Sequence, residues 1–208
     1  MKQRSTLALP ILASALLAFS PAHADKALDL FRTFCADTNV DTSLAVAAAD
    51  KAGWMPMPDS LLEKFNENLH MTGAQGRMMT GADGMYMLLT TNGAVTINQL
   101  TGRVCTVAVA ATTASPTSAD FDDQISAFAN VPPAPRVSNG FVIYAWRAGA
   151  EHSHLTVPFD EKNLKASMAD GTLQILMTKH DDKMLMILMI APTDFSEDAP
   201  AAKSEDRK

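Results

Sequence analysis

The chain has 208 residues, with 17 Lys plus Arg against 23 Asp plus Glu and a formal net charge of −6. That length is about one domain's worth of chain, enough to bury a core without metal staples. The acidic balance speaks against nucleic acid, whose binding rests on phosphate neutralisation, and against adhesion to anionic lipid.

Lys2 and Arg4, an apolar run over residues 7–19, and small residues at positions −3 and −1 of Ala22-His23-Ala24 read as a secretory signal over 1–24, cut after Ala24. The run is about 13 residues long, short of the roughly 20 that a spanning helix needs. No Cys stands at the first mature position, so a lipoprotein anchor is not indicated. The expected address is the periplasm, with full secretion as the alternative and no stable membrane insertion after cleavage. Lys2 and Arg4 leave with the signal, so 15 basic residues face 23 acidic ones, a net charge of −8 for the mature chain.

Leu28, Phe31 and Cys35 fall at helical spacing, with Leu30 and Phe34 beside them, which predicts a first short helix. Asp41, Thr42 and Ser43 supply an N-cap for a second helix through Lys51, and Gly53 is placed to end it before Trp54. Met55-Pro56-Met57-Pro58 reads as a rigid connector. Ser60 with Glu63 makes a capping box ahead of Leu62, Phe65 and Leu69, a third helix. From Gly84 the pattern turns to strands, 85–90, 94–98 and 103–110, with Asn92-Gly93 favouring a tight hairpin turn and Thr101-Gly102 a second one. Residues 112–118 read as a surface linker and a candidate break between subdomains. Asp120 caps a fourth helix carrying Phe121, Ile125 and Phe128, and the prolines after Val131 stop it. Four further strands follow at 141–147, 152–159, 172–178 and 184–190. Residues 193–208 read as a disordered tail.

The order of elements predicts an α+β domain over 25–192. A helical N-terminal third packs on a mainly antiparallel sheet, with one helix between two groups of strands. Alternating βα units, the mark of doubly wound folds, are missing.

In an exported chain the two cysteines, Cys35 and Cys105, most economically form one structural disulfide. Thirteen methionines are the oddest count. Met85, Met87, Met184, Met186 and Met189 lie in Leu and Ile runs and read as flexible core filler. His70, Met71, Met78 and Met79 lie in a Gly-rich stretch that reads as exposed, and the segment from Gly73 to Gly84 is a candidate ligand or partner surface. One imidazole and three thioethers there could ligate Cu(I). His152 and His154 share one face of a strand. With a turn at 149–150, Arg147 stands opposite His152, giving a solvated face of Arg147, His152 and His154 as a candidate ligand or partner surface. No nucleophile elbow and no phosphate loop is present, and no catalytic residue is assigned.

The run Leu30-Phe31-Arg32-Thr33-Phe34-Cys35, the helix ending Ala52-Gly53-Trp54, and Gly102-Arg103-Val104-Cys105-Thr106-Val107 resemble a set of uncharacterised exported proteins of Gram-negative bacteria. The resemblance covers roughly residues 28–110. It implies a periplasmic address and a Cys35–Cys105 bridge, and it transfers no activity. The leading expectation is a disulfide-stapled periplasmic accessory or binding protein without a cofactor, meeting a small molecule or an envelope protein. The alternatives are a copper-handling protein using Met and His ligands, and a small hydrolase in which Arg147, His152, His154 and His180 would have to converge.

Overall fold

The computed structural model describes residues 22–69, 71–81, 84–97, 100–111, 118–133, 141–147, 153–154, 166, 168, 171–180 and 184–195. In chain order the elements are α1 (Ala22–Phe31), one π-helical turn (Arg32–Ala36), α2 (Thr42–Lys51), β1 (Met55–Pro56), α3 (Asp59–Leu69), β2 (Gln75–Gly81), β3 (Gly84–Ile97) and β4 (Leu100–Ala111). They continue with α4 (Ser118–Ala129), β5 (Val142–Arg147), β6 (Ser153–His154), β7 (Leu173–His180) and β8 (Met184–Phe195). The strands form one antiparallel sheet in the order β1-β2-β3-β4-β8-β7-β5-β6. The α+β class read from the sequence is the class that forms. β4 pairs with β8 from Leu100↔Phe195 to Ala110↔Met184, so strands from both sides of 112–118 belong to the same sheet.

Alternation along the strands gives the sheet two apolar faces. Leu88, Val107, Ile187, Tyr144 and Trp146 lie on one, and α1, the π turn, α2 and α4 pack there. The other carries Met87, Leu89, Ala108 and Met186 beside Val104, Ile143, Ile175, Leu188 and Ile190. There α3 is laid on through Leu61, Leu62 and Phe65. Burial on both sides is why β7 and β8 read as continuous apolar runs and not as alternating ones.

The helical layer is tied down by local chemistry. The Asp37 N–H donates to the Arg32 carbonyl five residues back at 2.8 Å, and this wider turn lets the consecutive residues Phe34 and Cys35 both face the core. The chain then reverses through Asn39 and Val40 at φ 51° and 58°, where the Val40 N–H donates to the Cys35 carbonyl at 2.9 Å. Asp41 caps α2 as expected, its Oδ1 accepting from the Leu44 N–H at 3.0 Å. Gly53, at φ +82°, ends it. Its N–H reaches the Asp50 carbonyl and the Trp54 N–H reaches the Ala49 carbonyl, both at 3.0 Å, the paired bonds of a Schellman cap. Cys35 and Cys105, both fully buried, are bonded to each other and fasten the π turn to β4.

Several local expectations are corrected. The Leu61 and Leu62 N–H groups donate to the Pro58 carbonyl, so α3 starts at Asp59 and Ser60 lies inside its first turn. α4 likewise begins at Ser118, ahead of Asp120. The Gly-rich stretch before Gly84 is not an exposed loop: β2 occupies 75–81, paired with β1 on one side and β3 on the other. Asn92-Gly93 is no hairpin turn but part of an irregularity in β3 between Thr91 and Val95. Asn92 Oδ1 accepts from the Thr42 N–H at the start of α2 at 3.1 Å, and the Gly93 N–H donates to Thr91 Oγ1 at 2.8 Å. These local bonds take the pair out of the ladder, and β3 and β4 stay paired beyond it as far as Ile97↔Leu100. β8 runs to Phe195, beyond the expected boundary at 192. Pro192 is tolerated there because it sits where the register against β4 shifts, at Thr101/Gly102.

Candidate functional site

The described members of the expected groupings do not share one face. β5 pairs with β6 through Arg147↔Ser153 and Trp146↔His154, so position 154 is opposite Trp146 and not on the Arg147 side. His152 lies outside the described residues. Val142 to Trp146 are all buried, so β5 is not divided into a core face and a solvated one. Arg147 pairs with Leu173 at the start of β7, while His180 ends that strand on the opposite face, where its ring meets Phe121 edge-on at 6.1 Å. The two are about 23 Å apart along the strand, so Arg147 and His180 do not share one site.

The methionines expected beside His70 are likewise separated. His70 lies outside the described residues. Met71 is 5% exposed and packs with Val95 and Val104, and Met78 and Met79, being consecutive in β2, point to opposite faces. Met79 joins the helix-covered core, and Met78 stands opposite Met87.

What the register does bring together is a different set of thioethers, on the face that α3 covers in part. One cross-strand row reads Met55, Met78, Met87, Ala108, Met186 from β1 to β8. The next reads Thr80, Met85, Ala110, Met184. Ala108 is thus flanked by Met87 and Met186, and Ala110 by Met85 and Met184. Two alanines form a floor on β4, and methionine forms both walls. Because neighbouring strands lie about 4.8 Å apart, the two walls stand about 10 Å from each other across the alanines.

The floor is closed at one end and open at the other. Met57 and Leu62 lie over Gly76, where an added Cβ would come within 2.9 Å of Met57 Cβ and 3.3 Å of Leu62 Cδ1. Met87, Ala108 and Met186 are buried, whereas Met85, Ala110 and Met184 are partly exposed, and Met55 at the sheet edge is 61% exposed. Phe141 borders the patch, with the Lys179 ammonium 5.6 Å above its ring centre. Thr106, next inward along β4, has a buried hydroxyl with no hydrogen-bond partner among the described residues. Thr178 on the other face is in the same state, so a lone hydroxyl does not mark the site. No group of three or more His, Cys, Asp or Glu side chains poised for a metal occurs among the described residues.

Sequence reasoning passed over this set because Met85, Met87, Met184 and Met186 read correctly as strand residues in apolar runs. Their i, i+2 spacing was visible. Their meeting across two alanines depends on β8 pairing with β4, which no local pattern announces.

Comparison with protein-family models, with curated proteins and with solved structures found no match. The reading of function therefore rests on the geometry of this chain alone.

Proposed function

We propose that this chain is an exported accessory protein of the periplasm that works by binding, and that its ligand or envelope partner meets the methionine-walled alanine floor. The observation that carries the reading is the partial exposure of Met85, Ala110 and Met184 in the row next to the buried Met87, Ala108 and Met186. Methionine is flexible and polarisable, and it serves surfaces that must adapt to what they bind. The compartment is supported by the buried Cys35–Cys105 bridge, a bond that persists in oxidising surroundings. Among the described residues no helix is long and apolar enough to cross a membrane.

Two measurements test this. Cell fractionation followed by N-terminal sequencing is expected to find the protein in the periplasm starting at Asp25, and recovery in the cytoplasm with residues 1–24 attached would contradict export. For binding, anilinonaphthalene sulfonate should brighten on the folded, oxidised protein, and Met85→Glu with Met184→Glu should abolish the effect while the circular dichroism stays native. A native protein that leaves the dye dark would overturn the assignment of the face.

A further inference from the structure

Three strands change composition together at the methionine rows, and packing alone does not require it. Toward the inner end β3 carries Leu89, β4 carries Val104 and Thr106, and β8 carries Leu188 and Ile190. At the next two rows outward β3 and β8 both switch to methionine, and β4 switches to alanine. A floor of small residues lets long side chains from either wall lean over it and meet. Leucine could fill the same volume, since exchanges between Leu and Met conserve size. What leucine lacks is the sulfur.

We propose that Met85, Met87, Met184 and Met186 form a thioether site for a soft monovalent cation, Cu(I), above Ala108 and Ala110. This inference rests on the binding-face reading and names the ligand class for it. Thioether sulfur is neutral and soft, so it retains Cu(I) while offering little to Zn(II), Mg(II) or Ca(II). The open outer row, Met85 and Met184, gives the ion a path in, and the buried row, Met87 and Met186, supplies inner donors. Cys35 and Cys105 are bonded to each other and do not compete. Lys179 ends the inner row next to Met186, which favours a position nearer the outer pair.

The test uses oxidised mature protein under anaerobic conditions, competing for Cu(I) against bicinchoninate. Wild type is expected to withdraw one equivalent. Met85→Leu/Met184→Leu should lose at least tenfold in affinity without a matching loss of thermal stability, whereas Met177→Leu/Met189→Leu, buried elsewhere, should bind as wild type does. Failure of wild type to compete, or equal affinity in Met85→Leu/Met184→Leu, would overturn the metal site. If the dye still binds the native protein in that case, the apolar binding face stands without its metal, and if the dye fails as well, both fall. A readout that needs no variant is protection by Ag(I): peroxide oxidation of Met85 and Met184 should slow on adding one equivalent, and unchanged oxidation would equally refute the site.

Discussion

Tyr144 shows how strongly one position can be held by its surroundings. Its ring is fully buried beneath α4, its hydroxyl donates to the Asp122 carbonyl at 3.4 Å, and burial, followed by the negative charge of Asp122, pushes its pKa up to about 12 from 10.0. The folded state therefore keeps a proton that the unfolded chain releases, and stability falls as pH rises from 10 toward 12. A denaturant series across that range should show a decline of at most about 2–3 kcal/mol, removed in Tyr144→Phe. Gly93 is a second such position. An added Cβ there would run into the Thr72 carbonyl oxygen, so Gly93→Ala should destabilise by about 1–3 kcal/mol in equilibrium unfolding. At this scale the sequence was legible where a residue acts on its own neighbours, as Asp41 and Gly53 do in capping α2. It misled where Asn92, in a dipeptide that favours hairpins, spends its side chain on a helix fifty positions away.

At the scale of elements, the helices were readable from their apolar spacing, but the face each one covers was not. α3 carries Leu62 and Phe65 as expected and nevertheless packs on the side of the sheet opposite α1, α2 and α4. β2 was hidden because Gly76 and Gly81 look like loop residues. Gly76 is small for a packing reason, since Met57 and Leu62 occupy the space above it. What clamps α2 to β2 is the pair Asp50–Arg77, with Arg77 Nε donating to Oδ1 at 2.6 Å and Nη2 to Oδ2 at 3.2 Å. The guanidinium hydrogen bond holds the Asp50 carboxyl below its ordinary value of 3.8. The sign follows: this contribution is present above 3.8 and disappears as pH falls through the lowered value. Arg77→Gln should therefore flatten the acid limb of the stability profile, read as thermal unfolding from pH 5 to pH 2, and leave the alkaline limb unchanged.

For the molecule as a whole, the α+β class was legible because helix and strand periodicities fall in separate blocks along the chain. The joining of the two blocks through β4 and β8 was not, because pairing between strands far apart in sequence leaves no local trace. The disulfide closes a separation of 70 residues between the helical layer and a central strand. Replacing both cysteines by serine should cost about 4 kcal/mol in the chain-entropy account, measurable by urea unfolding. The candidate site belongs to this scale too: each methionine is ordinary, and only the assembled sheet lines them up along Ala108 and Ala110.

The claim that this methionine face is open to ligand in the folded protein is tested most directly by timed peroxide oxidation of the native, disulfide-bonded chain, with each methionine followed by peptide mass. Met55, Met78, Met85 and Met184 should convert to sulfoxide early, with Met71, Met177 and Met189 protected until unfolding. Equal protection of Met85, Met184 and Met177 would mean the face is closed core and would contradict the account.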